Sequence, residues 1–260
     1  MANDLQIGRE SLRKLCRDKL KLIPYKIQKA HILTDSMKKV RMERCKLLLK
    51  RFSSARHLGI VFTDESLFNV EAFLNHQNDR ILSRNISDAN MKGRIASRSG
   101  HPQSVMVFGG ITSDGKTPLV FVDSGVKINS QNYLNDVLIK EVLPWSQSHF
   151  GTKPWTFQQD SAPAHKAKIV QGWCKNNFPD FISTQEWPPY SPDLNPLDYS
   201  LWSVLKTKAC SIPHRNVDSL RRALQKEWNN LSPEYLRAAV NDFPKRLRAC
   251  IKAKGGYFEI

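Results

Sequence analysis

Apolar residues recur along this chain with two different periods, which divide it into strands and helices. Short runs rich in β-branched and aromatic residues predict strands, and apolar residues three or four positions apart predict helices. The predicted strands cover residues 58–64, 68–73, 105–108, 119–122, 155–159 and 181–184. The predicted helices cover residues 9–22, 35–52, 129–142, 163–175, 218–228, 233–241 and 244–254, with one more beginning at Pro196. This order indicates an α/β core with helical segments at both ends.

Length and composition are those of a folded protein without membrane spans. The 260 residues can bury a sizeable core, and 40% of them are hydrophobic. No apolar run approaches the roughly 20 residues that a membrane-spanning helix needs, and the N-terminus does not have the pattern of a signal peptide. The five cysteines are far apart and form no CxxC pair, which predicts neither a disulfide framework nor a zinc site.

Positive charge is concentrated at the two ends of the chain. The net charge is +16; residues 1–56 carry 16 Lys and Arg against 5 Asp and Glu, and residues 243–260 carry 5 against 1. Residues 57–242 are nearly balanced, with 19 against 18. Blocks of one sign favour a polyanionic partner such as nucleic acid over a generic solvated surface. The candidate contacts on the two N-terminal helices are Arg13, Lys14, Arg17, Lys38, Lys39, Arg41, Arg44 and Lys46.

Two aspartates stand at the ends of predicted elements. Asp160 follows the strand 155–159, and Asp198 lies in the first turn of a helix that Asn195 caps and Pro196 begins. Carboxylates on a strand end and a capped helix suggest a divalent-metal site if a third acid joins them. Both Asp64 and Asp123 follow strands, and spacing alone does not choose between them.

Five motifs together carry a resemblance to a known family. They are FTDES at 62–66, VMVFGGI at 105–111, QQDSAPAH at 158–165, PPYSPDLNPLDYSLW at 188–202 and RLRACIKAKGGYFE at 246–259. In this order, and over roughly residues 9–259, the sequence resembles the mariner branch of cut-and-paste DNA transposases. The 37 residues between Asp160 and Asp198 are similar to one subgroup of that branch.

The resemblance implies a two-metal-ion enzyme. It selects Asp64, Asp160 and Asp198 as catalytic metal ligands for two Mg²⁺ ions, for which Mn²⁺ can substitute. The implied reaction is hydrolysis of phosphodiesters at transposon ends, followed by strand transfer into TA target DNA. The implied partners are double-stranded DNA and a second copy of the chain as a homodimer, with the nucleus as the compartment.

The resemblance also implies an architecture. The expected fold is α/β and ribonuclease-H-like, with a mixed five-stranded sheet and flanking helices. Residues 1–56 are expected to be a basic helical arm and linker, 57–210 the catalytic domain, and 211–260 C-terminal helices that pack on it. Helix 9–22 is similar to the last helix of a helix-turn-helix, so most of the N-terminal DNA-binding region is expected to be missing. Residues 75–103, which lack any period, correspond to a clamp loop that grips the other protomer.

One motif is misleading. Gly110 to Thr117 satisfies the phosphate-binding pattern G-x-x-x-x-G-K-[ST] letter for letter. That motif must open a helix, whereas Pro118 follows directly and a β-type run comes next. The segment is better explained as a hairpin turn, and no nucleotide cofactor is expected.

Two other functions are compatible with these residues. The chain could be a transposon-derived DNA-binding protein that no longer catalyses, or a ribonuclease-H-like nuclease acting on RNA–DNA hybrids. If the acids do cluster, repulsion predicts that without metal at least one has a raised pKa or turns away. His165, which follows Asp160 closely, is interpreted as structural, with a phosphate contact as the alternative.

Overall fold

The chain forms two compact units, residues 1–32 and 33–260. The computed structural model describes residues 6–22, 32–73, 80–95, 100, 102–122 and 129–260. In the first unit, α1 (Arg9–Lys14) continues into a π-helical turn, Leu15–Lys19, and none of these residues is buried. The predicted helix 9–22 ends early because Lys21 adopts a positive φ of 54°.

The second unit is built on a four-stranded sheet. Its strands are β1 (Ile60–Asn69), β2 (Ser104–Ile111), β3 (Val120–Val122) and β4 (Thr156–Gln158), in the spatial order β3-β2-β1-β4. β1 and β2, and β2 and β3, pair antiparallel, whereas β1 and β4 pair parallel, so the sheet is mixed. The strands predicted at 58–64 and 68–73 are one strand, because β2 pairs continuously with the chain from Phe62 to Asn69.

The expected fifth strand is reduced to a single bridge in the described part of the chain. Phe181 bridges Phe157 in parallel, and the Ile182 amide donates to the Phe157 carbonyl at 2.8 Å. The next amide on the same side of the chain, that of Thr184, donates to Gln171 Oε1 at 3.3 Å. The donor that a further ladder bond would need is therefore used by a side chain, and the strand stops.

Helices cover both faces of the sheet. They are α2 (Asp35–Arg51), α3 (Ile86–Met91), α4 (segments Ser130–Asn132, Tyr133–Val142 and Leu143–Phe150), α5 (Pro163–Lys166), α6 (Lys168–Asn177), α7 (segments Leu197–Leu201 and Trp202–Ala209), α8 (Val217–Asn229) and α9 (Pro233–Lys252). Along β1, Ile60 and Phe62 join the core beneath α2 and α7–α9, and Val61 joins the core beneath α4 and α6. This alternation is the period of a strand buried on both faces.

Two prolines do not end helices as predicted. Pro144 lies at the start of the last segment of α4, after a π-helical stretch that already lacks regular i to i−4 bonds. Pro244 lies inside α9, which runs unbroken where two helices, 233–241 and 244–254, were predicted. Burial of Phe243 and Leu247 on either side of Pro244 holds this part of α9 against the core.

Helix α2 belongs to the second unit and packs against α9. The prediction that residues 1–56 form one arm remains a prediction. The described part of the predicted clamp loop contains α3, and the alternative third acid, Asp123, lies outside the described residues. None of the helices in the described ranges is long and apolar enough to cross a membrane.

Candidate active site

Asp64 lies in the middle of β1 and is 9% exposed. The indole Nε1–H of Trp202, on α7, donates to its Oδ2 at 2.6 Å. Trp202 stacks on Trp228 with ring centroids 6.2 Å apart, so the donor is itself fixed by the core. A carboxyl oxygen is therefore held at a defined place on the sheet.

Asn195 connects the helix that carries Asp198 to the strand that carries Asp64. Its Nδ2 donates to the carbonyl of Thr63 at 2.9 Å, and its Oδ1 accepts from the amide of Leu197 at 3.1 Å. The predicted capping role of Asn195 is confirmed, because its own carbonyl also accepts from the amide of Tyr199. The carboxyl groups of Asp198 and Asp64 consequently share a hydrogen bond.

Asp160 follows the end of β4 and is placed by the parallel pairing with β1. Its Oδ1 accepts from the amide of Ala162 at 2.9 Å and from His165 Nδ1 at 2.6 Å. His165 is 3% exposed, and its Nε2 lies 3.3 Å from Glu65 Oε1. This second contact is an ion pair rather than a hydrogen bond, because Glu65 Oε1 has no hydrogen-bond donor in the described part of the chain.

Burial and mutual repulsion separate the acids electrostatically. Burial raises the pKa of Asp64 well above its ordinary value, and the charges of Asp198 and Glu65 add to the effect. Burial likewise raises the pKa of Asp198 to about 7. Burial acts to raise the pKa of Asp160 too, but the hydrogen bond and charge of His165 outweigh it and lower that pKa. The expected raised pKa is confirmed for two acids of the three.

The surroundings of His165 favour its charged form. Its burial opposes the charge, but the Glu65 carboxylate and the hydrogen bond to Asp160 raise the pKa of His165 to about 10. The sequence interpretation of His165 as merely structural missed this contact. Its only signal is position, five residues after Asp160 in the short helix α5.

The donor set fits a divalent cation, although the acids are not yet arranged around one. Among the described residues, no three His, Cys, Asp or Glu side chains lie as they would to hold a metal ion. Asp64 turns to Asp198 and Asp160 turns to His165. The chemistry of the set, carboxylate oxygens whose charges repel one another, suits Mg²⁺ or Mn²⁺. Ligation would require both Asp64 and Asp198 to be ionised.

Two of the candidate DNA contacts donate hydrogen bonds within the protein. Arg41 is 1% exposed and donates to Gly255 O, Tyr190 O, Ser191 Oγ and both carboxylate oxygens of Asp193. Arg44 is half-buried, and its Nη1 donates to the carbonyls of Thr184 and Trp187. The prediction that Arg41 binds DNA is therefore wrong, because the fold itself uses its donors. For Arg44, which uses Nη1 in these bonds, DNA contact stays a prediction.

The other candidate cations are accessible. Arg13, Lys14 and Arg17 are exposed in the first unit, and Lys39 and Lys46 are exposed on α2. Lys38 is half-buried and forms an ion pair with Asp35 at 3.0 Å. These residues remain candidates for phosphate contacts.

A mixed sheet with helices on both faces, and acids brought together from β1, the end of β4 and α7, defines a ribonuclease-H-like nuclease domain. Residues 59–221 match the model of the DDE superfamily endonuclease family. The chain belongs to this family and is a DDE endonuclease domain homologous to the Tc1/mariner transposases.

Individual proteins similar to this chain are transposases as well. Tc3 transposase of Caenorhabditis elegans is 27% identical over 257 residues, covering 97% of this chain and 73% of the relative. Tcb2 transposase of Caenorhabditis briggsae is 30% identical over 152 residues, covering 58% of this chain and 53% of the relative. The chain thus spans about half the length of Tcb2 transposase. The structure of a mariner Mos1 paired-end complex with Mg has a TM-score of 0.79 at 20% identity, covering 99% of this chain and 74% of that one.

Proposed function

We propose that this chain is the catalytic domain of a cut-and-paste DNA transposase. Asp64, Asp160 and Asp198 act as ligands of two divalent ions, Mg²⁺ or Mn²⁺, for hydrolysis at transposon ends and strand transfer into TA target DNA. The observation that carries the proposal is the meeting of acids from three elements, with Asp64 and Asp198 sharing a hydrogen bond and Asp160 close enough to influence the pKa of both. Acids that destabilise one another in a core are typical of a functional site.

The chain's own residues position the ligands. Trp202 fixes Asp64, Asn195 ties the helix of Asp198 to β1, and the Ala162 amide and His165 hold Asp160. When bound, two divalent ions supply an activated water and stabilise the leaving oxygen of a phosphodiester. The acids thus provide charge and geometry rather than a nucleophile.

Solved structures of Mos1 transposase, which this chain resembles in fold, support the choice of metal and substrate. Mos1 paired-end complexes were determined with Mg and with Mn, and one contains the left transposon end. We infer the same chemistry for this chain, with the exposed cations of α1 and those of α2 each as contacts for double-stranded DNA. Action as a homodimer in the nucleus belongs to the same proposal.

Replacing Asp160 by Asn tests the proposal. Asp160→Asn removes a ligand charge but keeps the size of the side chain, so Mg²⁺-dependent nicking of transposon-end DNA should be lost while salt-sensitive DNA binding is retained. The matched control is Asp136→Asn, which changes an exposed aspartate paired with Lys140. Nicking by the Asp160→Asn protein at the wild-type rate would contradict the assignment.

Two further substrates separate the alternatives. Pre-cut transposon ends should be joined to a TA target by the wild-type chain, whereas a binding protein that has lost catalysis would retard the DNA and give no product. An RNA–DNA hybrid should be cleaved more slowly than duplex DNA. Preferential cleavage of the hybrid would instead favour a ribonuclease-H-like nuclease.

A further inference from the structure

His165 lies between two carboxylates of the candidate site. Its Nδ1–H donates to Asp160 Oδ1 at 2.6 Å, and its Nε2 lies 3.3 Å from Glu65 Oε1. The ring is almost fully buried, whereas the side chain of Asp160 is 45% exposed. The buried member of this pair is therefore the more constrained one.

Neighbouring side chains fix the imidazole from other directions. The ring of Tyr133 packs against it with centroids 4.2 Å apart, and the Tyr133 hydroxyl donates to Gln159 Oε1 at 2.8 Å. Gln171 Nε2 donates to the His165 carbonyl at 2.9 Å, which anchors the backbone as well. Since neither ring nor backbone is free to move, the carboxylate of Asp160 adjusts to His165 and not the reverse.

The two oxygens of Asp160 are consequently different. Oδ1 accepts from both the Ala162 amide and His165, whereas Oδ2 has no hydrogen-bond donor in the described ranges. We propose that His165, anchored by Glu65 and Tyr133, is a positioning residue that occupies Oδ1 and leaves Oδ2 as the single oxygen Asp160 presents to a divalent cation. This inference rests on the proposed function, because it concerns the same site. Residues that orient a ligand in this way typically contribute about 10- to 100-fold to metal affinity.

Binding of Mn²⁺ to the DNA-free chain, measured by isothermal titration calorimetry, tests the role of His165. His165→Ala should weaken binding by about 10- to 100-fold. His165→Asn keeps an N–H donor near the position of Nδ1 and should weaken binding by less. The matched control is His149→Ala, which removes a histidine paired with Asp114 and should leave Mn²⁺ binding unchanged.

The order of the two variants is what a merely structural role would not produce. Equal affinity of the Ala variant and the wild type, or equal weakening in the Ala and Asn variants, would overturn the inference. If His165→Ala does not fold, Glu65→Gln takes its place. Gln keeps the size of Glu65 but removes the charge that pairs with His165 Nε2, so Mn²⁺ affinity should fall, and an affinity equal to that of the wild type would contradict anchoring by Glu65.

A metal-free measurement separates this inference from the proposed function. In ¹⁵N-labelled protein, the Nδ1–H of His165 should give a slowly exchanging, strongly downfield proton signal that is lost in His165→Ala and shifted in Asp160→Asn. If the signal is present but the wild type binds no Mn²⁺, both the proposed metal and the positioning role fail while the geometry stands. If the signal is absent and Mn²⁺ binds normally, only the positioning role fails.

Discussion

Asp64 and Asp198 are separated by most of the catalytic unit in sequence, yet their carboxyl groups share a hydrogen bond. Trp202, four residues beyond Asp198 on the same helix, donates to Oδ2 of Asp64. Burial raises the pKa of Asp64 and Asp198, so the folded protein without metal holds charge less readily than the unfolded chain does. The clustered acids therefore lower the free energy of unfolding of the protein when no cation is bound.

Asp64→Asn should stabilise the metal-free protein. The amide can still accept from Trp202 and donate to Asp198, and the penalty for a buried acid disappears. An acid with a raised folded-state pKa lowers stability above its unfolded value of 3.8, and the loss grows as the pH rises towards the folded pKa. We therefore expect Asp64→Asn to have a higher free energy of unfolding in urea than the wild type at pH 8.

The same pair of proteins provides the control. As the pH falls below 3.8 the two free energies of unfolding should converge, because the wild-type carboxyl is then protonated in both states. Adding Mn²⁺ should raise the thermal midpoint of the wild type and have less effect on Asp64→Asn. A variant that is less stable than the wild type at pH 8 would show that the acids do not repel one another as described.

At the scale of elements, the contact between α2 and α9 stabilises the second unit next to the loop at Asp193, which leads into α7. Arg41, on α2, reaches Gly255 after the end of α9 and Asp193 in the short 3₁₀ turn Pro192–Leu194, which precedes the cap of α7. The buried guanidinium of Arg41 therefore connects α2 with the end of α9 and with the loop that leads to Asp198. Its role is in the position of the site rather than in contact with DNA.

Arg41→Met should be strongly destabilising. Removal of the cation leaves Asp193 and several carbonyls without their donor, and breaking a buried ion pair costs about 3–5 kcal/mol. Lys46→Met, an exposed position on the same helix, should change the free energy of unfolding by no more than about 0.5 kcal/mol. Chemical denaturation of the two variants measures both values, and similar values would contradict the structural role of Arg41.

Gly255→Ala should weaken the same contact from the other side. Gly255 has a φ of +80°, and a Cβ there would lie 1.9 Å from the carbonyl oxygen of Lys38. The backbone would have to move, so a loss of about 1–3 kcal/mol or more is expected. Gly172→Ala, in α6 with open space around the site, should instead gain about 0.5–1 kcal/mol. A tolerated Gly255→Ala in thermal unfolding would show that the α2–α9 contact is looser than described.

At the scale of the whole molecule, the charge of +16 is carried mainly by the two ends of the sequence. The first unit exposes Arg13, Lys14 and Arg17, and the second exposes Lys39 and Lys46 on α2. The structure thus divides the predicted cations into those that stabilise the fold and those that are exposed and could contact phosphates. Only the second kind should contribute to the dependence of DNA binding on salt.

Salt dependence of duplex DNA binding measures this division. Each phosphate contact contributes about 0.9 to the slope of log affinity against log salt concentration, so Lys39→Ala or Lys46→Ala should each lower that slope by about this amount. Lys140→Ala, an exposed lysine paired with Asp136, should leave the slope unchanged. Fluorescence anisotropy titrations between about 50 and 200 mM salt provide the values. An unchanged slope in both α2 variants would remove α2 from the DNA surface.

Much of the fold, and Asp160 and Asp198 as candidate acids, could be predicted from local sequence. Strand and helix periods placed most elements, and Asn195 followed by Pro196 predicted the start of α7 correctly. The positions of Asp160 and Asp198 at element ends were visible for the same reason, since caps and strand ends depend on a few neighbouring residues. The family motifs then selected Asp64, a choice that spacing alone left open.

The remaining features depend on contacts between residues far apart in the chain. β1 is one strand because β2 pairs along its whole length, and α9 continues through Pro244 with Phe243 and Leu247 held by the core. Periodicity placed Arg41 on a basic helical face, but α9 and the loop at Asp193 decided that this guanidinium is buried. The sequence by itself determined which side chains are acids and cations and where most of the helices and strands begin. Only the tertiary structure decided which acids meet and which cations stay in water, because burial and repulsion are properties of neighbours that the chain brings together on folding.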